Sequence, residues 1–173
     1  RVTDTGVAAP GNPFGNRTYS YGHRNPQGIA WDNNGVLWES EHGPSGVWPD
    51  CCQDEVNKIE SGKNYGWPDS VGDNVQSGTV APIVHSGRDR YAPGSVAVAG
   101  DRVYFGGLRG AALYTYPIGG GSVVEHFKDE FGRIREAVIG PDGMLYITTS
   151  NNDGRGSPAA NDDKIIRVNP AKL

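Results

Sequence analysis

The sequence predicts an all-β protein built from repeated antiparallel units. Apolar residues occur in short runs separated by Gly, Asn, Asp and Pro, a pattern typical of strands and turns. Residues 27–40, 94–107 and 136–149 each follow the order strand, tight turn, strand. Their turns contain N-N-G, A-G-D and P-D-G, and both Gly and Asn tolerate the positive φ angles of hairpin turns.

A third strand is expected after each hairpin, over residues 54–59, 112–118 and 163–168. Units of three or four strands that recur at ~40–50 residues are typical of β-propeller blades. We therefore predict a single partial propeller domain over residues 1–173, with about three blades at 19–75, 80–125 and 130–170. The alternative is a small β-sandwich. The expected core residues between blades are Trp31, Trp38, Tyr104 and Tyr146.

Charge and hydropathy argue against two kinds of partner. The net charge is −4 and the lysines are scattered, so a nucleic-acid surface is not expected. No apolar run is long enough for a membrane span. A signal peptide is not visible, but the sequence begins at Arg1, so this says little about export.

Two cysteines are adjacent, at Cys51 and Cys52. A zinc site would need further Cys or His at regular spacing, and none follows. Two free thiols and a vicinal disulfide both remain open. The surrounding segment G-V-W-P-D-C-C-Q, residues 46–53, behaves as an insertion in the first repeat.

Four polar clusters lie on loops that enter or leave the predicted inner strands. They are H-R-N-P-Q-G at 23–28, E-H-G-P at 41–44 with D-E at 54–55 and G-K-N-Y-G-W-P at 62–68, G-L-R-G at 107–110, and G-R-I-R-E at 132–136. In a propeller such loops converge at one end of the channel. Four guanidiniums would meet there, from Arg24, Arg109, Arg133 and Arg135. Because crowded cations repel, we expect a ligand with several carboxylates.

A calcium site is also suggested, more weakly, by the same loops. The backbone carbonyls of Gly43 and Pro44 and the carboxylate of Glu55 are hard oxygen ligands, which suit calcium better than a transition metal. Arg133 and Arg135 alternate along a strand, so both side chains can face the same side.

In their order along the chain, these motifs resemble the soluble PQQ-dependent aldose sugar dehydrogenases of the glucose/sorbosone dehydrogenase family. The resemblance runs from about Tyr19 to Asn169. It implies a six-bladed β-propeller that holds pyrroloquinoline quinone (PQQ), a tricarboxylate, at the channel mouth. The residues it assigns to PQQ are Arg24, Asn25, Gln27, Arg109, Arg133 and Arg135, with Arg109 where some members carry lysine.

The resemblance also implies two calcium ions. The carbonyls of Gly43 and Pro44 would hold the one that polarises the quinone. Glu55 and the carbonyl of Tyr65 would hold a second, structural ion, with Asp54 as a further candidate. The segment around Cys51 and Cys52 departs from the family pattern.

The activity implied is oxidation of aldose sugars to lactones, with electrons passed to an external acceptor. The catalytic histidine of the family belongs to its N-terminal half, and no histidine here occupies that motif, so no catalytic residue is expected in this chain. The chain would be the C-terminal half of such an enzyme, inactive alone and completed by the missing half or by a second copy. The implied location is periplasmic or secreted. The competing hypothesis is a non-enzymatic propeller that binds proteins or glycans.

Overall fold

The computed structural model describes residues 1–46 and 51–173, and its regular structure is almost entirely β. The first sheet contains β1 (Pro26–Trp31), β2 (Leu37–Glu41), β3 (Glu55–Ile59) and β4 (Val84–His85). The second contains β5 (Ala97–Ala99), β6 (Arg102–Gly107), β7 (Ala112–Pro117) and β8 (Val124–His126). The third contains β9 (Ile134–Ile139), β10 (Leu145–Thr149) and β11 (Ile165–Val168). A short 3₁₀ helix (Pro170–Lys172) follows.

Each sheet is an antiparallel meander in which strands consecutive in sequence are neighbours in space. This confirms the predicted all-β class. The three predicted hairpins are β1–β2, β5–β6 and β9–β10, and their turns place Gly35, Gly100 and Gly143 at positive φ. Glycine is favoured there because side chains strain this backbone conformation.

The second sheet lies between the other two. One core lies between the first and second sheets and contains Trp38, Val56, Phe105 and Tyr114. The other lies between the second and third sheets and includes Leu113 and residues of β9 and β10. Both faces of the second sheet are therefore buried, whereas the first and third sheets each have an outer face on which no further sheet packs within the described residues.

The first strands of the three sheets lie side by side. A Cβ on Gly28 of β1 would be 2.5 Å from the backbone nitrogen of Val96, and one on Gly94 would be 2.3 Å from the carbonyl oxygen of Arg135. The backbones approach so closely that only glycine fits at these two positions. This contact places the loops before β1, β5 and β9 near one another.

Two details of the fold differ from expectation. Trp38 and Tyr104 are buried and Tyr146 is half-buried, but the core prediction for Trp31 is wrong, because 59% of this residue is exposed on the outer face of the first sheet. Fourth strands are present in two sheets, and β4 carries the first sheet past residue 75 to His85. At two and three residues, β4 and β8 are too short to give a periodic pattern.

Cys51 and Cys52 form a disulfide, which resolves the alternative left open by the sequence. Arg90 donates to both sulfurs, at 3.0 Å to Cys52 and 3.2 Å to Cys51. The predicted insertion at 46–53 lies partly outside the described residues, since 47–50 are not described. No described helix is long and apolar enough to cross a membrane.

Candidate functional site

Arg133 and Arg135 converge on one carboxylate of the protein itself. Oδ2 of Asp153 accepts hydrogen bonds from Nη2 of Arg133 at 2.8 Å and from Nη2 of Arg135 at 3.1 Å. Arg133 also donates to the carbonyls of Leu108 and Ser150. The hydrogen bond from Arg133 lowers the pKa of Asp153 to about 2. The two guanidiniums therefore share a fixed anion, which reduces their mutual repulsion.

The loop before β1 is held by a buried carboxylate. Oε2 of Glu41 accepts from the backbone nitrogens of Arg24, at 2.6 Å, and Asn25, at 3.0 Å. The guanidinium of Arg24 lies over the ring of Trp67, 5.4 Å from its centroid, and donates to the carbonyl of His42. The side chain of Arg24 is thus oriented toward the chain segment that leads into Gly43.

The Gly43–Pro44 loop packs on the segment after the disulfide. A Cβ on Gly43 would lie 1.9 Å from the carbonyl oxygen of Cys52. The carboxylate of Asp54 accepts from the backbone nitrogens of Gly43, at 3.1 Å, and Ala92, at 2.8 Å. Asp54, a candidate calcium ligand from the sequence, therefore uses both oxygens to position backbone.

Glu55 and Tyr65, the residues expected at a structural calcium site, line one small cavity of about 10 Å³, close to the space one ion or water needs. Arg24, Gly43 and Pro44 line it as well. Oε1 of Glu55 accepts from the backbone nitrogen of Gly72 at 3.0 Å, and burial raises the pKa of Glu55. Burial also raises the pKa of Tyr65 to about 12, so its hydroxyl stays protonated.

Two larger cavities lie nearby, one of which shares Gly43 and Pro44 with the small one. A cavity of about 300 Å³ is lined by Gly43, Pro44, the disulfide and Arg109. A second, of about 550 Å³, is lined by Arg109 and Arg133. Arg155 lines both, and no residue in the described ranges offers a hydrogen-bond acceptor to the guanidinium of Arg109 or Arg155. Both cavities therefore present two guanidiniums that have no hydrogen-bond acceptor among residues 1–46 and 51–173, as an anion site would require.

Not every predicted residue lies in these cavities. Asn25, Gln27 and Arg135 are outside the described lining of all three. Gln27 is exposed and donates to Oδ1 of Asn25 at 3.0 Å. His42, Nε2 of which lies 2.8 Å from the carbonyl of Pro93, is committed to a structural contact between the first two sheets.

The motifs did not reveal Asp153 and Arg155, which lie in a polar loop after β10, nor a group of acidic side chains in the first sheet. Glu39 and Glu41 alternate along β2, and Glu55 and Asn57 alternate along β3 directly opposite them. The period-2 spacing of E-S-E and E-V-N on paired strands is the signal that places all four side chains on one face. Burial beside Glu41 raises the pKa of Glu39 to about 9.

Residues 1–166 match the model of the family described as Glucose / Sorbosone dehydrogenase, so the chain belongs to that family. It is 33% identical to the aldose sugar dehydrogenase YliI of Escherichia coli over 89% of this chain and 48% of that protein. It is also similar to the PQQ-bound form of the aldose sugar dehydrogenase of Streptomyces coelicolor, with 40% identity and a TM-score of 0.87. That match covers 96% of this chain and 50% of the solved one.

A shorter match has a higher sequence identity. Over 60 residues, 35% of this chain, identity to quinoprotein glucose dehydrogenase B of Acinetobacter calcoaceticus reaches 48%, and the match covers 11% of that protein. The chain spans about half the length of YliI and of the Streptomyces structure. The family resemblance drawn from the motifs is thus confirmed.

Proposed function

We propose that this chain forms the cofactor-binding half of a PQQ- and calcium-dependent dehydrogenase that oxidises aldose sugars to lactones and passes the electrons to an external acceptor. The observation that carries the proposal is the pair of cavities that Arg109 and Arg155 both line, with no acceptor for either guanidinium among the described residues, and of which Arg133 lines the larger. Guanidiniums bind carboxylates with paired hydrogen bonds, and PQQ carries three carboxylates. The similarity to a PQQ-bound relative supports this assignment.

The residues proposed to hold PQQ are Arg24, Asn25, Gln27, Arg109, Arg133 and Arg135. The donors fit a polyanion, since the side chain of Arg133 is already oriented by three acceptors and Arg109 has none within the described chain. Bound PQQ would supply the two-electron acceptor that a sugar oxidation needs. The role of this chain is to fix the cofactor's orientation and to compensate its negative charge.

Calcium is proposed at two places on the same wall. The carbonyls of Gly43 and Pro44 would hold the ion next to the cofactor, since this loop lines both the small cavity and the 300 Å³ cavity. Glu55 and the carbonyl of Tyr65 would hold the structural ion in the small cavity. Oxygen ligands of these two kinds are those that calcium prefers.

The base that takes the sugar's proton is proposed to lie outside this chain. Nε2 of His23 lies 2.9 Å from Oγ of Ser20, and neither His23 nor His42 lines the 550 Å³ cavity. His42 lines the 300 Å³ cavity, but its Nε2 lies 2.8 Å from the carbonyl of Pro93. Three sheets arranged in sequence are proposed to be three blades of a six-bladed ring that the remaining half, or a second copy, completes. We expect the chain alone to be inactive, and we propose a periplasmic or secreted location by analogy with the family.

The test is a PQQ titration of the protein expressed from its complete gene, followed by fluorescence, with and without calcium. We expect calcium-dependent binding that Arg133→Ala/Arg135→Ala weakens by roughly 10–100-fold, the range for losing a hydrogen bond to a charged group. The matched control is Arg167→Ala, because Arg167 pairs with Asp142 on the outer face of the third sheet. If wild-type protein binds no PQQ at any calcium concentration, the proposal fails and a non-enzymatic binding propeller is favoured.

A further inference from the structure

The outer face of the first sheet carries a cluster of carboxyl groups that no neighbouring Lys or Arg side chain pairs with among the described residues. Glu41 of β2 lies directly opposite Glu55 of β3, and Glu39 lies directly opposite Asn57. Like charges directly opposite each other on a sheet are destabilising, and buried charges normally have partners. No Lys or Arg side chain pairs with these carboxylates within the described ranges. Nδ1 of the His23 imidazole lies 3.4 Å from Oε1 of Glu41.

One amide serves all three carboxylates. Nδ2 of Asn57 lies 3.1 Å from Glu39, 3.1 Å from Glu41 and 3.4 Å from Glu55. An amide nitrogen has two protons, so it cannot satisfy three acceptors. Within this cluster, Oε1 of Glu39 and Oδ1 of Asn57 are buried with no hydrogen-bond partner among the described residues. Glu39 is 3% exposed and Asn57 is 0% exposed, so both are shielded from bulk solvent.

The imidazole of His23 is oriented as a metal ligand would be. Its Nε2 lies 2.9 Å from Oγ of Ser20, and its ring stacks on Tyr65 with the centroids 4.6 Å apart. An Nε2–H that donates to Ser20 leaves the lone pair on Nδ1, the atom that faces Glu41. Metal-binding histidines commonly donate their other ring N–H to such a partner.

The spacing of the donor atoms fits a single ion. His23, Glu39 and Glu41 each offer one donor atom, and the three atoms lie within 4.8 Å of one another. Ligands at ~2.0–2.2 Å from a metal are separated by up to about 4.4 Å, so only a small closure is needed. A nitrogen with two carboxylates suits zinc or manganese, whereas calcium takes oxygen ligands alone.

We propose that His23, Glu39 and Glu41 bind one divalent transition-metal ion of the zinc or manganese class, with the amide oxygen of Asn57 as the fourth ligand. A rotation of the Asn57 amide would place its oxygen where its nitrogen now lies, 3.1 Å from Glu39 and 3.1 Å from Glu41. The site is distinct from the calcium site proposed at Glu55 and Tyr65. One of its ligands is the imidazole nitrogen of His23, and Glu55 keeps its hydrogen bond from the backbone nitrogen of Gly72. Oε2 of Glu41 would still accept from the backbone nitrogens of Arg24 and Asn25, so an ion bound to Glu41 would stabilise the loop before β1.

The experiment uses the protein expressed from its complete gene, stripped with a chelator and dialysed separately against Zn²⁺, Mn²⁺ and Ca²⁺. Metal content is measured by mass spectrometry without PQQ, so the result does not depend on the proposed function. We expect one equivalent of zinc or manganese per chain. Glu39→Gln and His23→Gln should weaken its affinity more than ~10-fold, and Ser20→Ala by about 10–100-fold. Glu55→Gln should retain the ion.

Three outcomes would overturn the proposal. Wild-type protein that takes up neither zinc nor manganese has no such site. Retention of the ion by Glu39→Gln shows that this carboxylate is not a ligand, and loss of the ion in Glu55→Gln alone assigns the metal to the other site. Misfolding is separable from ligand loss, because glutamine is a neutral side chain of the same shape as the glutamic acid, so the metal-free Glu39→Gln variant should melt no lower than the metal-free wild type.

Discussion

At the scale of single residues, Asp153 determines how the arginines of the third sheet are presented. Its carboxylate accepts from both Arg133 and Arg135, so the two guanidiniums are held in place before any ligand arrives. Preorganised donors lose less conformational entropy when a ligand binds. The same carboxylate repels an incoming carboxylate, so Asp153 balances orientation of the arginines against attraction of the ligand.

The pKa of Asp153, lowered to about 2 by Arg133, gives a prediction for stability. A depressed folded-state pKa stabilises the fold above the unfolded value of about 4, and this stabilisation is lost as the pH falls toward 2. Asp153→Asn should therefore lower the melting temperature at pH 6 and have a smaller effect at pH 2.5. Thermal unfolding followed by circular dichroism measures this, with Asp129→Asn as the control in an exposed turn. An equal decrease at both pH values would contradict the ion pair.

Sequence reasoning found the arginines but not their partner. Arg133 and Arg135 alternate on a strand, so their shared direction follows from strand geometry. Asp153 approaches them from a loop after the next strand, and nothing in the spacing of a polar loop predicts that approach. The hydrogen bonds of Asp54 to the backbone nitrogens of Gly43 and Ala92 were not predictable for the same reason, since both partners are distant in sequence.

At the scale of elements, the Gly43–Pro44 loop depends on close contact with the segment after the disulfide. The backbone of Cys52 and Gln53 occupies the space where a side chain on Gly43 would begin. The disulfide, anchored by Arg90, and the carboxylate of Asp54 hold that segment against the loop. The hairpins were predictable because strand periodicity and turn residues are local, whereas this contact joins distant segments.

Gly43→Ala should therefore displace the loop. The added Cβ would meet carbonyl oxygens at 1.9 and 2.2 Å, and backbone atoms cannot move aside as side chains do. We expect a loss of about 1–3 kcal/mol of stability, the usual range for overpacking, together with weaker calcium-dependent binding of PQQ. Denaturant unfolding and the PQQ titration measure the two effects. Gly119→Ala is the control, because a Cβ at Gly119 has nothing within 4 Å.

At the scale of the whole molecule, the three sheets differ in how they are covered. The middle sheet is buried on both faces, and for that reason Tyr104 and Tyr114 are core residues. Trp31 and Ile29 lie on the outer face of the first sheet and are more than half exposed. The aromatic pattern correctly placed Trp38 and Tyr104 in the cores, but it could not show that the face carrying Trp31 would lack a packed sheet among the described residues.

The two outer faces lead us to expect that the 173-residue chain, expressed alone, associates with itself. Trp31 is 59% exposed on one end sheet and Ile165 is 77% exposed on the other, so both ends present apolar surface to water. Exposed apolar faces and strand edges favour association. The chain should therefore sediment as a concentration-dependent oligomer, and Trp31→Lys/Ile165→Lys should shift it toward monomer. Val7→Lys is the matched control, since Val7 is 55% exposed but lies outside the sheets. If the double variant associates as strongly as the wild type, another surface joins the copies. The outer faces of the first and third sheets would then remain exposed to water without driving association.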